Sequence, residues 1–295
     1  MLGCDCCCIN SFVYLVGFLA IASKIIPVLV KLFKGEKPIE LQEKNYKKDV
    51  VYFYQFPGTP TASSLSPFCI KVEAFLRLHG IKFERRNTIR VRGRNGQMPF
   101  IELNGEHHSD SQIIIRRLTQ VFKLKTHSDD HSAAIGHAVD RMLDNHTFNL
   151  KLMAKNGKGV DKMIGVMAGD IVPPVLLPLV STLGGWFLSK KMAQRAAVSI
   201  GKFEEKECKE LLRNDLVQLQ TILGKKKFLL GDEPATVDCT ALGQLSANAI
   251  PSSRYYFNDL LDSSEFAPLR DYAERVKTRI FGNEFCDTER FFVCS

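Results

Sequence analysis

The chain changes character near Asp129. Before that point, strand-like and helix-like runs alternate over short distances; after it, only helical composition continues toward the C-terminus. Strands that pair early, followed by helices that can stack only on that layer or on one another, give an α/β part followed by an all-α part. Val50 to Phe56 is a β-branched and aromatic run ended by Pro57-Gly58 and predicts strand one. Ser66-Pro67-Phe68 opens a helix, with Ser as N-cap and Pro in the first turn. Phe68, Val72, Phe75 and Leu76 then recur at helical spacing, and Gly80 stops it. Ile81 to Glu84 predicts a second strand and Met98 to Leu103 a third, with Asn104-Gly105 turning into a short fourth around His107-His108. Asp110 and Ser111 precede a helix carrying Ile113, Ile114, Ile115 and Leu118.

Residues 131–152, 193–223 and 264–280 have helical composition, and Gly224 closes the second of these. Ile164 to Leu188 is apolar but interrupted by Asp170, Pro173, Pro174 and Pro178. That pattern favours a hydrophobic insert that lines a ligand pocket or touches a bilayer over a second membrane span. The organisation is therefore residues 1–33 as a Cys-rich segment and anchor, 34–49 as a basic linker, 50–125 as an α/β domain and 129–295 as a helical domain.

The anchor is read from Ile9 to Phe33, which holds no acid and only Lys24 and Lys31 as bases, close to the roughly 20 apolar residues that cross a bilayer. A cleaved signal peptide ending at Ala20-Ile21-Ala22 is the alternative, although no Lys or Arg precedes its apolar core. Lysines crowd the C-terminal flank, from Lys31 and Lys34 to Lys47 and Lys48, so the positive-inside rule puts the body in the cytosol of a single-pass protein. The sequon Asn145-His146-Thr147 provides a check, since its glycosylation requires a lumenal body. The linker is expected either to lie near anionic headgroups or to be a solvated tether.

With 45% hydrophobic and 24% charged residues, the 295-residue chain is neither disordered nor collagen-like, and its net charge of +8 favours anionic partners. Four of nine cysteines, Cys4, Cys6, Cys7 and Cys8, fall within five positions, which suits soft-metal ligation or S-palmitoylation beside the apolar segment. The remaining five are scattered through the body, which reads as a reduced domain rather than a disulfide framework.

The set of short motifs, taken in order, resembles the glutathione transferases. Ser66-Pro67-Phe68-Cys69 is similar to the C-P-x-C segment of thioredoxin-like proteins with serine replacing the first cysteine. Met98-Pro99 is similar to the bond that is cis before strand three. Asp110-Ser111 resembles the acid-Ser pair that holds the γ-glutamyl end of glutathione, and Thr236-Val237-Asp238 resembles the capping box of the helical domain. The runs SPFCIKVEAFLRLHGIKFE, GQMPFIELNG and DSQIIIRRL resemble the failed-axon-connections and cadmium-responsive family, related to metaxins. The resemblance implies a thioredoxin-like N-terminal domain, an all-α C-terminal domain and glutathione as ligand. It also implies a link to heavy-metal stress or neuronal development, without implying a particular reaction.

On this reading Ser66 polarises the glutathione thiol at a helix N-terminus, where the dipole also favours thiolate, or it serves only as an N-cap. Tyr52 and Tyr54, on one face of strand one, are alternative donors. Cys69 is either a thiol nucleophile or a small buried hydrophobe. Met98 and Pro99 present backbone to the cysteinyl part, while Asp110 and Ser111 hold an α-amino and an α-carboxylate group or merely cap their helix. Arg85, Arg86, Arg90, Arg92 and Arg94 offer cations to carboxylates or lipid, but nothing interleaves them with aromatics as nucleic-acid binding requires. His107-His108 and His127/His131 lack a third metal ligand nearby. Partners expected are thus a lipid bilayer, glutathione or a similar small acidic thiol, and a homodimer mate or membrane protein, but no nucleic acid. A non-catalytic, membrane-tethered interaction module is the rival to an enzyme.

Overall fold

The computed structural model describes residues 40–58, 61–155, 159–168, 172–246 and 255–285. The chain divides into two units, Met1–Glu40 and Leu41–Ser295, and every element assigned among the described residues belongs to the second. The predicted anchor at 1–33 and the cluster Cys4, Cys6, Cys7 and Cys8 lie outside the described residues. Among the described residues no helix is long and apolar enough to cross a membrane, and no group of three or more His, Cys, Asp or Glu could hold a metal ion.

The α/β part forms in the predicted order of elements, except that the second strand starts two residues later than Ile81 and continues through Arg85 and Arg86 to Asn87. Strand β1 (Val51–Gln55) leads to helix α1 (Pro67–Leu78), then to β2 (Phe83–Asn87), β3 (Phe100–Leu103), β4 (Glu106–Ser109) and helix α2 (Ser111–Val121). The sheet order is β2-β1-β3-β4, with β1 parallel to β2 and the other pairs antiparallel, which is the thioredoxin-like arrangement. Every residue of β1 is buried, as a central strand covered on both faces must be. Phe53, Phe75, Phe100, Ile101, Ile114 and Leu118 form its core, which is continuous with that of the helical part.

The helices of the second part are α3 (Asp130–Arg141), α4 (Phe148–Lys155), α5 (Val160–Ala168), α6 (Leu177–Ile200), α7 (Glu205–Leu223), α8 (Thr236–Ser246), α9 (Tyr256–Asp262) and α10 (Ala267–Phe281). A π-helical turn, Met142–Thr147, joins α3 to α4. One expectation fails here. The stretch 193–223 is not one helix, because Gly201 adopts φ +102° and separates α6 from α7. At the sequon, Thr147 is buried in the π turn with its hydroxyl donating to Asp215 at 2.6 Å.

The linker expectation also needs correction at its described end. The backbone N–H groups of Gln42 and Glu43 donate to the Glu102 carboxylate at 2.9 and 2.8 Å, Lys47 pairs with Glu84 at 3.0 Å, and Arg86 pairs with Glu43 at 2.8 Å. Residues 42–49 are therefore tied to the sheet by hydrogen bonds and ion pairs, although most of their side chains stay exposed. The two parts of the fold are clipped together by Lys71 of α1, a buried cation 2.6 Å from both Asp140 of α3 and Asp144 of the π turn. Beside this clip α1 crosses α8 so closely that a Cβ on Gly243 would come within 2.4 Å of the Pro67 carbonyl oxygen, which only glycine permits.

Candidate functional site

The start of α1, the start of α2 and the inner faces of α4 and α6 enclose two adjoining compartments. The first, of about 140 Å³, is lined by Met98, Asp110, Ser111, Asp144, Asn149 and Arg195 among others. The second, of about 180 Å³, is lined by Ser66, Leu152, Met163, Met192 and Tyr255 among others. Phe68 and Phe148 border both compartments and meet edge to face, with ring centroids 4.8 Å apart.

Three sequence-predicted residues, Met98, Asp110 and Ser111, thus come together at the first compartment. The Met98–Pro99 peptide bond is cis, and Met98 lines the cleft beside Pro99 at the entry to β3. Asp110 sits at the N-cap of α2 with φ +81°, a left-handed conformation that is uncommon outside glycine. Its carboxylate accepts from the Gln112 N–H at 2.9 Å and borders the cleft, while Ser111 is buried beside it. Strained backbone of this kind persists only where surrounding structure enforces it, and it concentrates at ligand clamps.

Ser66 occupies the N-cap position of α1, and its carbonyl accepts from the N–H groups of Cys69 and Ile70, both at 3.1 Å. Its side chain makes no capping hydrogen bond; it lies in hydrogen-bonding reach of the Cys69 thiol and lines the second compartment. The expectation of a side-chain cap is therefore corrected. Cys69 is fully buried, and desolvation pushes its thiol up to about 11 against opposing hydrogen bonds from Phe56, Ser66 and Ser64. That removes the exposure and thiolate character a nucleophile needs, leaving the small-hydrophobe reading.

The alternative donors are engaged elsewhere. The Tyr52 hydroxyl accepts from the Lys47 N–H at 2.9 Å and that of Tyr54 donates to Glu43 at 3.3 Å; burial raises the Tyr54 phenol. Both face the docked segment and neither borders the two compartments. The arginine run is likewise absent from both linings: Arg86 pairs with Glu43 and Glu84, Arg85 with Glu73, and Arg92 covers the Phe56 ring at 4.6 Å. His107 and His108 lie near Glu102 and Glu106 respectively, and burial lowers both imidazoles.

At α8 the capping role falls on one of the two predicted residues. Asp238 is fully buried and accepts from the Leu229 N–H at 3.0 Å, the Ala235 N–H at 2.7 Å and the Tyr272 hydroxyl at 2.5 Å, while burial lifts its carboxyl. Thr236 is the first residue inside the helix and its buried hydroxyl has no partner, so it is no N-cap. It borders a third cavity of about 430 Å³, together with Lys71, Arg116 and His137.

Sequence reasoning missed Asn149 and Arg195. Asn149 donates to the Asn145 carbonyl at 2.7 Å and to Ser199 at 3.1 Å, which leaves its own buried side-chain carbonyl oxygen without a donor at the first compartment. Arg195 of α6 adds a cation to the same lining. The signal that could have found them was weak: an Asn in the apolar run Phe148 to Leu152, and a base in a stretch without acids.

Comparison with known proteins agrees with this architecture. Residues 67–156 match the family model for the glutathione S-transferase N-terminal domain, and residues 212–276 match that for the glutathione S-transferase C-terminal domain. Failed axon connections of Drosophila melanogaster is 34% identical over 266 residues, covering 85% of this chain but 61% of that protein, so the chain spans less than two thirds of this relative. Isoprene-epoxide–glutathione S-transferase of Rhodococcus sp. (strain AD45) is 23% identical over 225 residues, 72% of this chain and 92% of that enzyme. The crystal structure of a β-etherase of Sphingobium sp. strain SYK-6 shares the fold at a TM-score of 0.53 and 18% identity, over 78% of this chain and 95% of that one. The chain belongs to the glutathione S-transferase-like family and is, within it, a homologue of Failed axon connections.

Proposed function

We propose that this chain binds glutathione, or a similar small acidic thiol, in the cleft lined by Met98, Asp110 and Ser111. The observation that carries this reading is the convergence there of the residue before a cis proline, a carboxylate held at φ +81°, and a buried serine at a helix N-terminus. Asp110 and the unpartnered Asn149 carbonyl suit an ammonium group, while Ser111 and the α2 N-terminus suit a carboxylate. Arg195 supplies a cation for the ligand's second carboxylate. The thiol then points toward Ser66 and the start of α1, where a hydroxyl and the helix dipole favour its ionisation. An apolar electrophile held among Leu152, Met163 and Met192 would accept the sulfur's electron pair as its own leaving group departs.

A specific observation favours a second, non-catalytic reading. The Phe68–Phe148 ring pair fills the space between Ser66 and the Asp110 cleft, and neither compartment reaches the roughly 300 Å³ usual for ligand sites. With either reading we propose a single-pass membrane protein with a cytosolic body, linked to heavy-metal stress, whose Cys4, Cys6, Cys7 and Cys8 carry lipid or, in the alternative, bind a soft metal ion. The support for that part is the family resemblance and the sequence of residues 1–33.

The test is calorimetric titration of the full chain with reduced glutathione. Saturable binding that weakens at least about tenfold in Asp110→Ala, a loss of about 1.4 kcal/mol, supports the cleft. With Ser66→Ala, retained binding and a raised pKa of the bound thiol supports the enzyme. No binding by the folded chain leaves the interaction module.

A further inference from the structure

Helix α6 is two-sided in an unusual way. Its inner side packs on α5, where Gly185 lies against the Asp161 backbone, and it contributes Met192, Arg195 and Ser199 to the two compartments. Its outer side carries Leu179, Val180, Leu183, Trp186 and Phe187, which with Leu176 at the N-cap recur every three or four residues and so form one stripe. Leu183, Trp186 and Phe187 are 60%, 63% and 65% exposed, where such side chains are normally covered.

The charges beside the stripe are of one sign. From Val172 to Phe203 there is no Asp or Glu, whereas Lys190, Lys191 and Lys202 follow the apolar residues. The Lys190 ammonium lies over the Trp186 ring at 4.7 Å, so a cation and an indole share the end of the stripe. An apolar face with an aromatic residue and lysines at its margin, on a helix not apolar enough to span, is the composition of helices that lie in the plane of a membrane interface. Anionic headgroups complement the lysines, and acyl chains cover the leucines without requiring hydrogen bonds from them.

We infer that the outer face of α6 docks in-plane on an anionic lipid surface, independently of any anchoring by residues 1–33. Docking there brings the membrane alongside the helix that lines the candidate cleft, within reach of ligands dissolved in lipid.

Trp186 is the only tryptophan in the chain, so its fluorescence reports on this face alone, whatever else attaches the protein to a vesicle. The full chain is mixed with phosphatidylcholine vesicles containing about 30% phosphatidylserine, a strongly anionic surface. The expected result is a shift of emission to shorter wavelength and quenching by brominated lipid. Lys190→Glu with Lys191→Glu should weaken the response at least about tenfold, since each basic residue near such a surface contributes about fivefold and here the charges are reversed. Leu179→Ser with Leu183→Ser should abolish it, and both pairs lie on the exposed surface, where folding tolerates change. Co-sedimentation with vesicles while Trp186 emission stays unchanged overturns the inference, because attachment then runs through another part of the chain. A blue shift that appears without lipid and grows with protein concentration also overturns it, assigning the face to a second copy.

Discussion

Asp110 and Asp238 both sit at the start of a helix, and the structure uses them differently. Asp238 is sealed from solvent with three donors aimed at it, from Leu229, Ala235 and Tyr272, which between them join the loop before α8 to α10. Asp110 has one donor, a left-handed backbone and a carboxylate left at the edge of a cleft. A carboxylate whose acceptor positions are filled from within is a fastener. One with capacity left over, held in a conformation its residue type disfavours, is arranged for something outside the chain.

The sharpest way to break this contrast is to remove the fastener. Asp238→Ala leaves three buried donors without an acceptor, and unfolding by urea should show a loss of about 4 kcal/mol. A loss under 1 kcal/mol would mean that water replaces the carboxylate and that the two helix starts are less different than they look. Lys71→Met should come next, at about 3 kcal/mol, because it strands the buried Asp144 beside Asp140. Burial lifts the Asp144 carboxyl, whereas Lys71, Thr240 and Arg141 overcome the same burial at Asp140 and bring it below the usual range. The destabilisation of Lys71→Met should therefore shrink on acidification through the ordinary carboxylate range, where protonation removes the stranded charge.

Lys71 also marks the limit of what the sequence made legible. The succession of elements from β1 to α2, the Pro67 helix start, the Gly80 stop and the cis Met98–Pro99 bond followed from local patterns or from family motifs, and local rules hold where neighbours along the chain decide the conformation. A lysine amid Phe68, Val72 and Phe75 reads as solvated until α3 and the π turn bring two carboxylates to it across the fold. The same holds for Asn149 and Arg195, which reach the cleft from helices distant in sequence. Tyr52 and Tyr54 were misjudged for the converse reason: residues 42–49 look like a tether, yet Glu43 and Glu102 hold them onto the sheet and occupy the face on which the tyrosines lie. The break at Gly201 was hidden because helical composition continues across it.

A smaller effect on stability, with a larger one on binding, is expected at the other helix start. Asp110→Gly relieves a left-handed conformation that costs a non-glycine residue about 1 kcal/mol, and it loses a cap for which glycine is only a few tenths poorer. Stability should stay within about 1 kcal/mol of the parent, while glutathione affinity falls at least about tenfold. Unchanged affinity would show that the carboxylate does not meet the ligand, and the left-handed turn would then need another explanation.

The smallest effect is expected at Thr236, next to the fastener itself. The family pattern casts this residue as the N-cap of α8, and a lost cap ordinarily costs about 1 kcal/mol. Its hydroxyl instead lies inside the first turn, buried and without a partner, and the side chain that ties down this helix start is Asp238, which reaches back to the N–H of Ala235, the residue before the helix, and to that of Leu229. Removing an unsatisfied buried hydroxyl costs nothing in hydrogen bonding and lifts a desolvation penalty, so Thr236→Ala should change stability by less than about 0.5 kcal/mol. A loss near 1 kcal/mol in the same urea titration would mean that the hydroxyl finds a partner in solution. Water in the cavity it shares with Lys71 and His137 is the partner within reach, and Thr236→Val, which keeps the shape and removes only the oxygen, would then reproduce the loss.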